Sequence, residues 1–203
     1  MGLFIVVAFV ALLGSSAEQQ PWTGATVEGL GTENGRPDYT EGVGAFTNLR
    51  LKPGTKNFDN GGGSHDTNTL FLRDTYAIEN WVYDPFQRSK EHNETVLEAV
   101  AHHDFDTSTS NSVLNVIDDF SQRLRHIFLS CDSLKEFGAA YFLIWEGDRS
   151  SEEKRLSYGY QANRLVGSYQ SEIERIFGSG NVVTDFQRKL IIAFKNGGCN
   201  QTK

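Results

Sequence analysis

The stretch AAYFLIWE, residues 139–146, places seven apolar side chains in succession and runs into the turn-forming pair Gly147-Asp148. A strand with one wet face alternates in polarity, whereas a strand covered on both faces reads as a continuous apolar run. The segment therefore predicts a central, doubly covered strand. Upstream, Val113, Ile117, Phe120, Leu124, Ile127, Phe128 and Cys131 recur at three- and four-residue steps, which predicts an amphipathic helix over 112–131. Ser110 or Asn111 is placed to cap it. Asp118 and Asp119 fall toward its positive end, and Arg123, Arg125 and His126 toward its negative end.

Downstream, a polar hairpin at 150–154 leads to a strand at 155–160. Ala162, Leu165, Val166, Tyr169, Ile173, Ile176 and Phe177 then define a second amphipathic helix, ended by Gly178. Val182-Val183 and the apolar run 190–194 close the pattern as strands before Asn196-Gly197-Gly198. The order helix, strand, strand, helix, strand predicts an α+β fold: an antiparallel or mixed sheet with helices packed on one face.

The first half is less periodic. Phe71, Tyr76, Trp81, Tyr83 and Phe86 crowd residues 70–86 and point to one or two strands, and Val96, Leu97, Val100 and Ala101 form a short helical stripe ending near His102. Residues 18–69 read as a glycine-rich extended arm, with short strands at 25–30 and 43–51 and with Gly61-Gly62-Gly63 near its end. The expected division is thus a leader at 1–17, the arm at 18–69 and an α+β domain at 70–203.

The leader reading rests on residues 3–13, which hold no polar side chain and precede Gly14, Ser15, Ser16 and Ala17. Eleven apolar residues are too few to cross about 30 Å of hydrocarbon, so a signal peptide is expected and a membrane anchor is not. Export to an oxidising compartment predicts that the two cysteines, Cys131 and Cys199, form a disulfide. It also makes Asn93 and Asn200, both in Asn-x-Thr sequons, N-glycosylation acceptors. A net charge of −7 argues against nucleic acid as a partner, because phosphate binding draws on Lys and Arg.

Candidate chemistry is sparse. His102, His103, Asp104 and Asp106 form the densest group of metal-ligating side chains, suited to a divalent cation. Adjacent helical residues project about 100° apart, however, which works against convergence of His102 and His103. Asp59 to Asp66, with three glycines and His65, offers oxygen ligands around a turn but departs from calcium-loop spacing, and so reads as a surface loop. There is no nucleophile elbow, P-loop or dinucleotide fingerprint. The expectation is a secreted, acidic, extracellular glycoprotein with no cofactor beyond a divalent cation at the His/Asp cluster. It would be non-enzymatic and act by surface contact with an extracellular macromolecule or mineral surface, in matrix, mineralised tissue or body fluid. The alternatives are a metal-dependent hydrolase built on that cluster and a small-ligand carrier.

Overall fold

The computed structural model describes residue 49 and residues 51–156 and 159–200. The expected leader at 1–17, the strand at 25–30 and most of the arm, Trp22 included, lie outside the described residues. Eight strands are described: β1 (Lys56–Asn60), β2 (Glu79–Tyr83), β3 (Phe105–Asn111), β4 (Leu134–Leu143), β5 (Glu153–Leu156), β6 (Gly159–Ala162), β7 (Val182–Asp185) and β8 (Leu190–Phe194). The helices are α1 (Thr67–Tyr76), α2 (Lys90–Val100), α3 (Phe120–Ser133) and α4 (Gln170–Phe177). Six strands form one sheet in the order β2-β1-β3-β4-β8-β7, and β5 and β6 form a separate hairpin. The β1–β2, β1–β3 and β3–β4 pairs are parallel; β8 runs antiparallel to both β4 and β7.

This is a mixed, mostly parallel α/β sheet, and it corrects the expected layering. Successive side chains on a strand point to opposite faces. Ala140, Phe142 and Ile144 pack with Ile127 and Cys131 of α3 and with Ile173, Ile176 and Phe177 of α4 on one face. Tyr141 and Leu143, pointing the other way, pack with Phe71, Leu72 and Tyr76 of α1 and with Leu49, Leu51 and Ile78. Helix α2 joins the first face through Val96 and Val100, which meet Phe58, Phe105 and Leu129. Helices therefore cover both faces. Handedness dictates this: the chain moves from β1 outward to β2, then reverses past β1 to β3, and right-handed crossovers in opposite directions put α1 and α2 on opposite faces.

The expected boundary at 69/70 falls inside α1, and β1, placed by the sequence in an extended arm, is an interior strand of the sheet. Residues 70–86, expected as strand, split into α1 and β2. The expected helix at 112–131 begins later, at Phe120, with Asp119 as its cap: Asp119 Oδ1 accepts from Gln122 N at 2.8 Å. Ser110 and Asn111, expected as caps, belong to β3.

Burial of polar strands explains the difference. β1 reads KNFDN and β3 reads FDTSTSN, yet both are largely inside. Asn57 Nδ2 donates to Asn80 Oδ1 at 2.7 Å and to Thr109 Oγ1 at 2.9 Å, and Thr107 Oγ1 donates to Asn57 Oδ1 at 2.7 Å. Asn80 Nδ2 in turn donates to Thr69 Oγ1 of α1 at 3.0 Å. Buried polar groups are tolerated when they are partnered, and these three strands partner one another across the sheet.

The C-terminal half follows its sequence more closely. β4, α4 preceded by a 3-10 turn (Val166–Tyr169), and β7 and β8 occur in the expected order, whereas the single strand expected at 155–160 falls across β5 and β6, a hairpin separate from the main sheet. Gly178 ends α4 with φ +86°, its N–H donating to Glu174 O at 2.8 Å. Cys131 and Cys199 form a disulfide with Cα atoms 6.1 Å apart, tying the tail after β8 to the inner face of α3. No helix among the described residues is long and apolar enough to cross a membrane.

Candidate functional site

In an open α/β sheet, ligands bind outside the carboxyl ends of the strands, where the strand order reverses and adjacent connections leave to opposite faces. That reversal lies between β1 and β3. The carboxyl end of β1 continues as Gly61-Gly62-Gly63 and enters α1; the carboxyl end of β3 continues as Ser112-Val113 toward α3.

The glycine loop is shaped by what surrounds it. A Cβ on Gly61 would lie 2.6 Å from Val113 Cγ2, so the end of β3 approaches closely only because residue 61 has no side chain. A Cβ on Gly62 would lie 2.5 Å from Asp59 Oδ2 and 2.8 Å from Val82 Cγ1. Gly63, at φ +76°, has no heavy atom within 4 Å of its Cβ position and borders open space. Far from being a free surface loop, the segment is clamped to the end of β2. Gly61 N donates to Tyr83 O at 2.7 Å, Gly63 N donates to Asp84 Oδ2 at 3.0 Å, and Arg88 Nε donates to Gly63 O at 2.7 Å. Arg88 also pairs with Asp66 at 2.8 Å and donates to His65 O at 3.2 Å.

Asp84, directly after β2, is the carboxylate of this edge. It is buried, and its Oδ1 accepts from the N–H groups of Phe86 and Gln87, each at 3.0 Å. Together with Gly63 N this uses three of the about four acceptor positions that a carboxylate offers. At the end of β3, Asn111 Oδ1 is buried with no partner among the described residues, and Asn68 Oδ1 in the first turn of α1 is in the same state. Beneath the loop, burial raises the Asp59 carboxyl to about 6, against hydrogen bonds from Thr109 and Asn80 that lower it. Asn60 turns the other way and fixes α3, donating to His126 O at 3.0 Å and Ser130 Oγ at 2.9 Å. His126 faces Ser110 Oγ at 2.8 Å through Nε2, and burial lowers its imidazole to about 3.

The residues singled out from the sequence lie elsewhere. His102, His103 and Asp104 are exposed at the opposite, amino edge of β3. His103 Nδ1 meets Asp132 O at 2.6 Å, Asp104 pairs with Lys56 at 2.9 Å, and Asp106 accepts from Lys56 N at 2.9 Å and pairs with Lys135. Each is engaged separately, and among the described residues no group of three or more His, Cys, Asp or Glu side chains is arranged to hold a metal. Asn93, a sequon asparagine, is buried in α2: its Oδ1 accepts from Asp84 N at 3.1 Å and its Nδ2 donates to Asp84 O at 2.9 Å. A glycan there would break the turn that holds Asp84. Asn200 is exposed, its backbone N–H donating to Ile176 O at 2.9 Å.

Missing from the sequence reading were Asp84, Asn111 and the role of the glycines. A signal existed: Gly61-x-Gly63 stands between a strand and a helix, and an acidic residue follows about 20 positions on, the spacing of a nucleoside-binding βαβ unit. Asp66 occupies the place of the third glycine, so the full fingerprint is absent.

No protein-family model matches the chain, and no curated protein matches it. Solved structures do. The chain is similar to the putative methyltransferase in a complex with the Trm112 methyltransferase activator of Haloferax volcanii, at 13% identity and TM-score 0.50, with 78% of this chain and 90% of that one covered. It is also similar to the 1,6-didemethyltoxoflavin-N1-methyltransferase of Burkholderia thailandensis, determined with 1,6-didemethyltoxoflavin and S-adenosylhomocysteine bound, at 12% identity and TM-score 0.50, with 78% and 84% covered. The fold is thus a Rossmann-like methyltransferase fold. This overturns the expectation of a non-enzymatic protein acting by surface contact in matrix, mineralised tissue or body fluid, together with its hydrolase and carrier alternatives. Of the descriptors that accompanied that reading, the disulfide is shown, glycosylation at Asn93 is opposed by its burial, and export rests on a leader outside the described residues.

Proposed function

We propose that the chain is an S-adenosylmethionine-dependent methyltransferase that holds its cofactor at the carboxyl edge of β1, β2 and β3. The observation that carries this reading is the clamped glycine loop: Gly61 to Gly63 lie at the strand-order reversal, bonded to Asp84 at the next strand's end. The fold likeness supports it. The chemistry such a cofactor supplies is an electrophilic methyl carbon on a sulfonium sulfur, passed to an acceptor lone pair as the carbon–sulfur bond breaks with its electrons remaining on sulfur.

The chain's own residues divide the binding work. Backbone groups of Gly61 to Gly63 take the ligand's closest approach, since no side chain stands in the way at Gly63. Asp84 directs its remaining acceptor position toward sugar hydroxyls, the role an acidic residue at this position plays in nucleoside sites. Asn111, with an orphaned carbonyl oxygen, accepts from a further ligand donor. Asp59 is a positioning residue: it braces Gly62 from below and touches no ligand.

Titration calorimetry with S-adenosylhomocysteine tests the assignment. The wild-type chain is expected to bind, and Gly62→Val, which drives a side chain into Asp59 and Val82, to bind at least tenfold more weakly. A folded wild-type chain that takes up no S-adenosylhomocysteine would refute it.

A further inference from the structure

Farther along the same edge, past β4, lies a cavity of about 490 Å³ lined by Glu146, Arg149, Arg164, Leu165, Phe186 and the Gly167-Ser168 turn. β4 is one strand beyond β3, about 5 Å on, and Ser112 N donates to Leu143 O at 2.8 Å, joining the two strand ends.

The electrostatics of this cavity run against those of the chain. Glu146 is buried; it accepts from Val166 N at 3.0 Å, pairs with Arg149 Nε at 2.9 Å and has Lys189 Nζ 3.9 Å away. Behind it, Glu172 is shared by Arg123 at 2.7 Å and Arg164 at 3.1 Å. Two arginines, Arg149 and Arg164, and one carboxylate, Glu146, thus line the cavity in a chain whose net charge is −7. Arg149 pairs with Glu146 through Nε, its side chain is 58% exposed, and it lines the cavity. The planar fork of donors on a guanidinium matches a carboxylate. The walls beside it are apolar and flat. Phe186 is 68% exposed and Leu165 50% exposed, and the Phe186 ring lies so close over Gly167 that a Cβ there would come within 2.9 Å of Cε1. Exposed aromatic surface at a cavity mouth favours a ring.

We propose that this cavity is the acceptor site and that it takes a small aromatic carboxylate, the ring against Phe186 and Leu165 and the acid on Arg149. The assignment as acceptor site rests on the methyltransferase reading; the ligand class does not. Saturation-transfer NMR with 4-hydroxybenzoate, 4-hydroxybenzamide and cyclohexanecarboxylate tests the class. The expected result is binding of 4-hydroxybenzoate, at least fivefold tighter than either comparison compound, and reduced at least fivefold in Arg149→Gln and in Phe186→Ala. Equal binding of the acid and the amide, or no effect of either substitution, overturns it. Arg149 and Phe186 are exposed, and thermal melts of the variants check that each remains folded. S-adenosylhomocysteine titration of the same proteins separates the two readings. Unchanged affinity in both variants supports a site distinct from the cofactor cleft. A wild type that binds 4-hydroxybenzoate but no S-adenosylhomocysteine overturns the acceptor role and the methyltransferase reading while leaving the ligand class standing.

Discussion

Gly63 N–H and Asp84 Oδ2 are hydrogen bonded at 3.0 Å, so the loop leaving β1 and the end of β2 behave as one unit. The same carboxylate holds Phe86 N and Gln87 N. Asp84→Ala is therefore expected to strand three buried or half-buried donors and to cost about 2–4 kcal/mol, given about 1–3 for each unsatisfied buried group and partial rescue by water. Its effect on S-adenosylhomocysteine affinity should exceed tenfold under conditions where the variant remains folded. Urea unfolding and calorimetry on one sample measure both; full affinity in a destabilised Asp84→Ala would leave this carboxylate a purely structural role.

Asp59 predicts a pH dependence of known sign. Its carboxyl is raised to about 6 by burial, above the unfolded value near 4, so the folded state binds the proton more tightly. The stability it contributes is complete below about pH 4 and is lost as pH rises through about 6, a change on the order of 3 kcal/mol. Asp59→Asn keeps an oxygen for Thr109 Oγ1, which donates to Asp59 Oδ1 at 3.0 Å, and removes the titration. Unfolding free energies at pH 4.5 and 7.5 should differ less in Asp59→Asn than in the wild type.

His126 works in the opposite direction. With its imidazole lowered to about 3 by burial, the unfolded chain binds the proton more tightly, and stability is lost as pH falls from about 6.5 toward 3. At pH 5 the ring should still be neutral, and its NMR carbon and proton shifts should not move between pH 7 and pH 5. A His126 that titrates near 6 would show that the Ser110 contact opens to water.

The sequence made the C-terminal half legible because there β4, α4 and β8 bury apolar side chains. AAYFLIWE became the end of β4 and the segment after it, the apolar stripe around Ile173 became α4, and Gly178 ended it. The parallel half was hidden for a physical reason. β1 and β3 should be apolar if buried, yet they carry Asn57, Asp59, Asn60, Thr107 and Thr109, whose side chains bond to one another, to Asn80 of β2 and, from Asn60, to α3. Such matching depends on pairs more than twenty residues apart in sequence and leaves no periodic trace. The glycine loop was visible as composition; its meaning came from Val113 and Asp84, which approach it only in three dimensions.

Reduction of Cys131–Cys199 releases the tail from α3. The bridge closes a loop of sequence separation 68, for which chain entropy gives about 4 kcal/mol. Reduced protein, or Cys131→Ser/Cys199→Ser, should unfold at lower urea with a larger slope, because the unfolded chain becomes more extended. An unchanged midpoint would mean that native-state strain cancels the entropic gain.

The buried pair Arg123–Glu172 decides how α3 meets α4 behind the cavity that Arg149 and Phe186 line. Arg123 reaches Glu172 through Nε at 2.7 Å and through a terminal nitrogen at 3.2 Å, and spends its remaining donors on Ile117 O at 2.9 Å and Asp118 O at 3.0 Å. Both side chains are under one tenth exposed. Removing one partner leaves an uncompensated charge inside the protein, so Glu172→Ala should cost about 3–5 kcal/mol, whereas Arg123→Met with Glu172→Leu, which removes both charges, should cost far less. Arg164 complicates the double variant usefully. It also leans on Glu172 and stacks 4.1 Å over Tyr169, so losing the carboxylate frees it at the cavity wall. The double variant is accordingly expected to fold with near-wild-type stability yet to bind 4-hydroxybenzoate with altered affinity, a split between urea midpoint and NMR titration that a purely structural salt bridge would not produce.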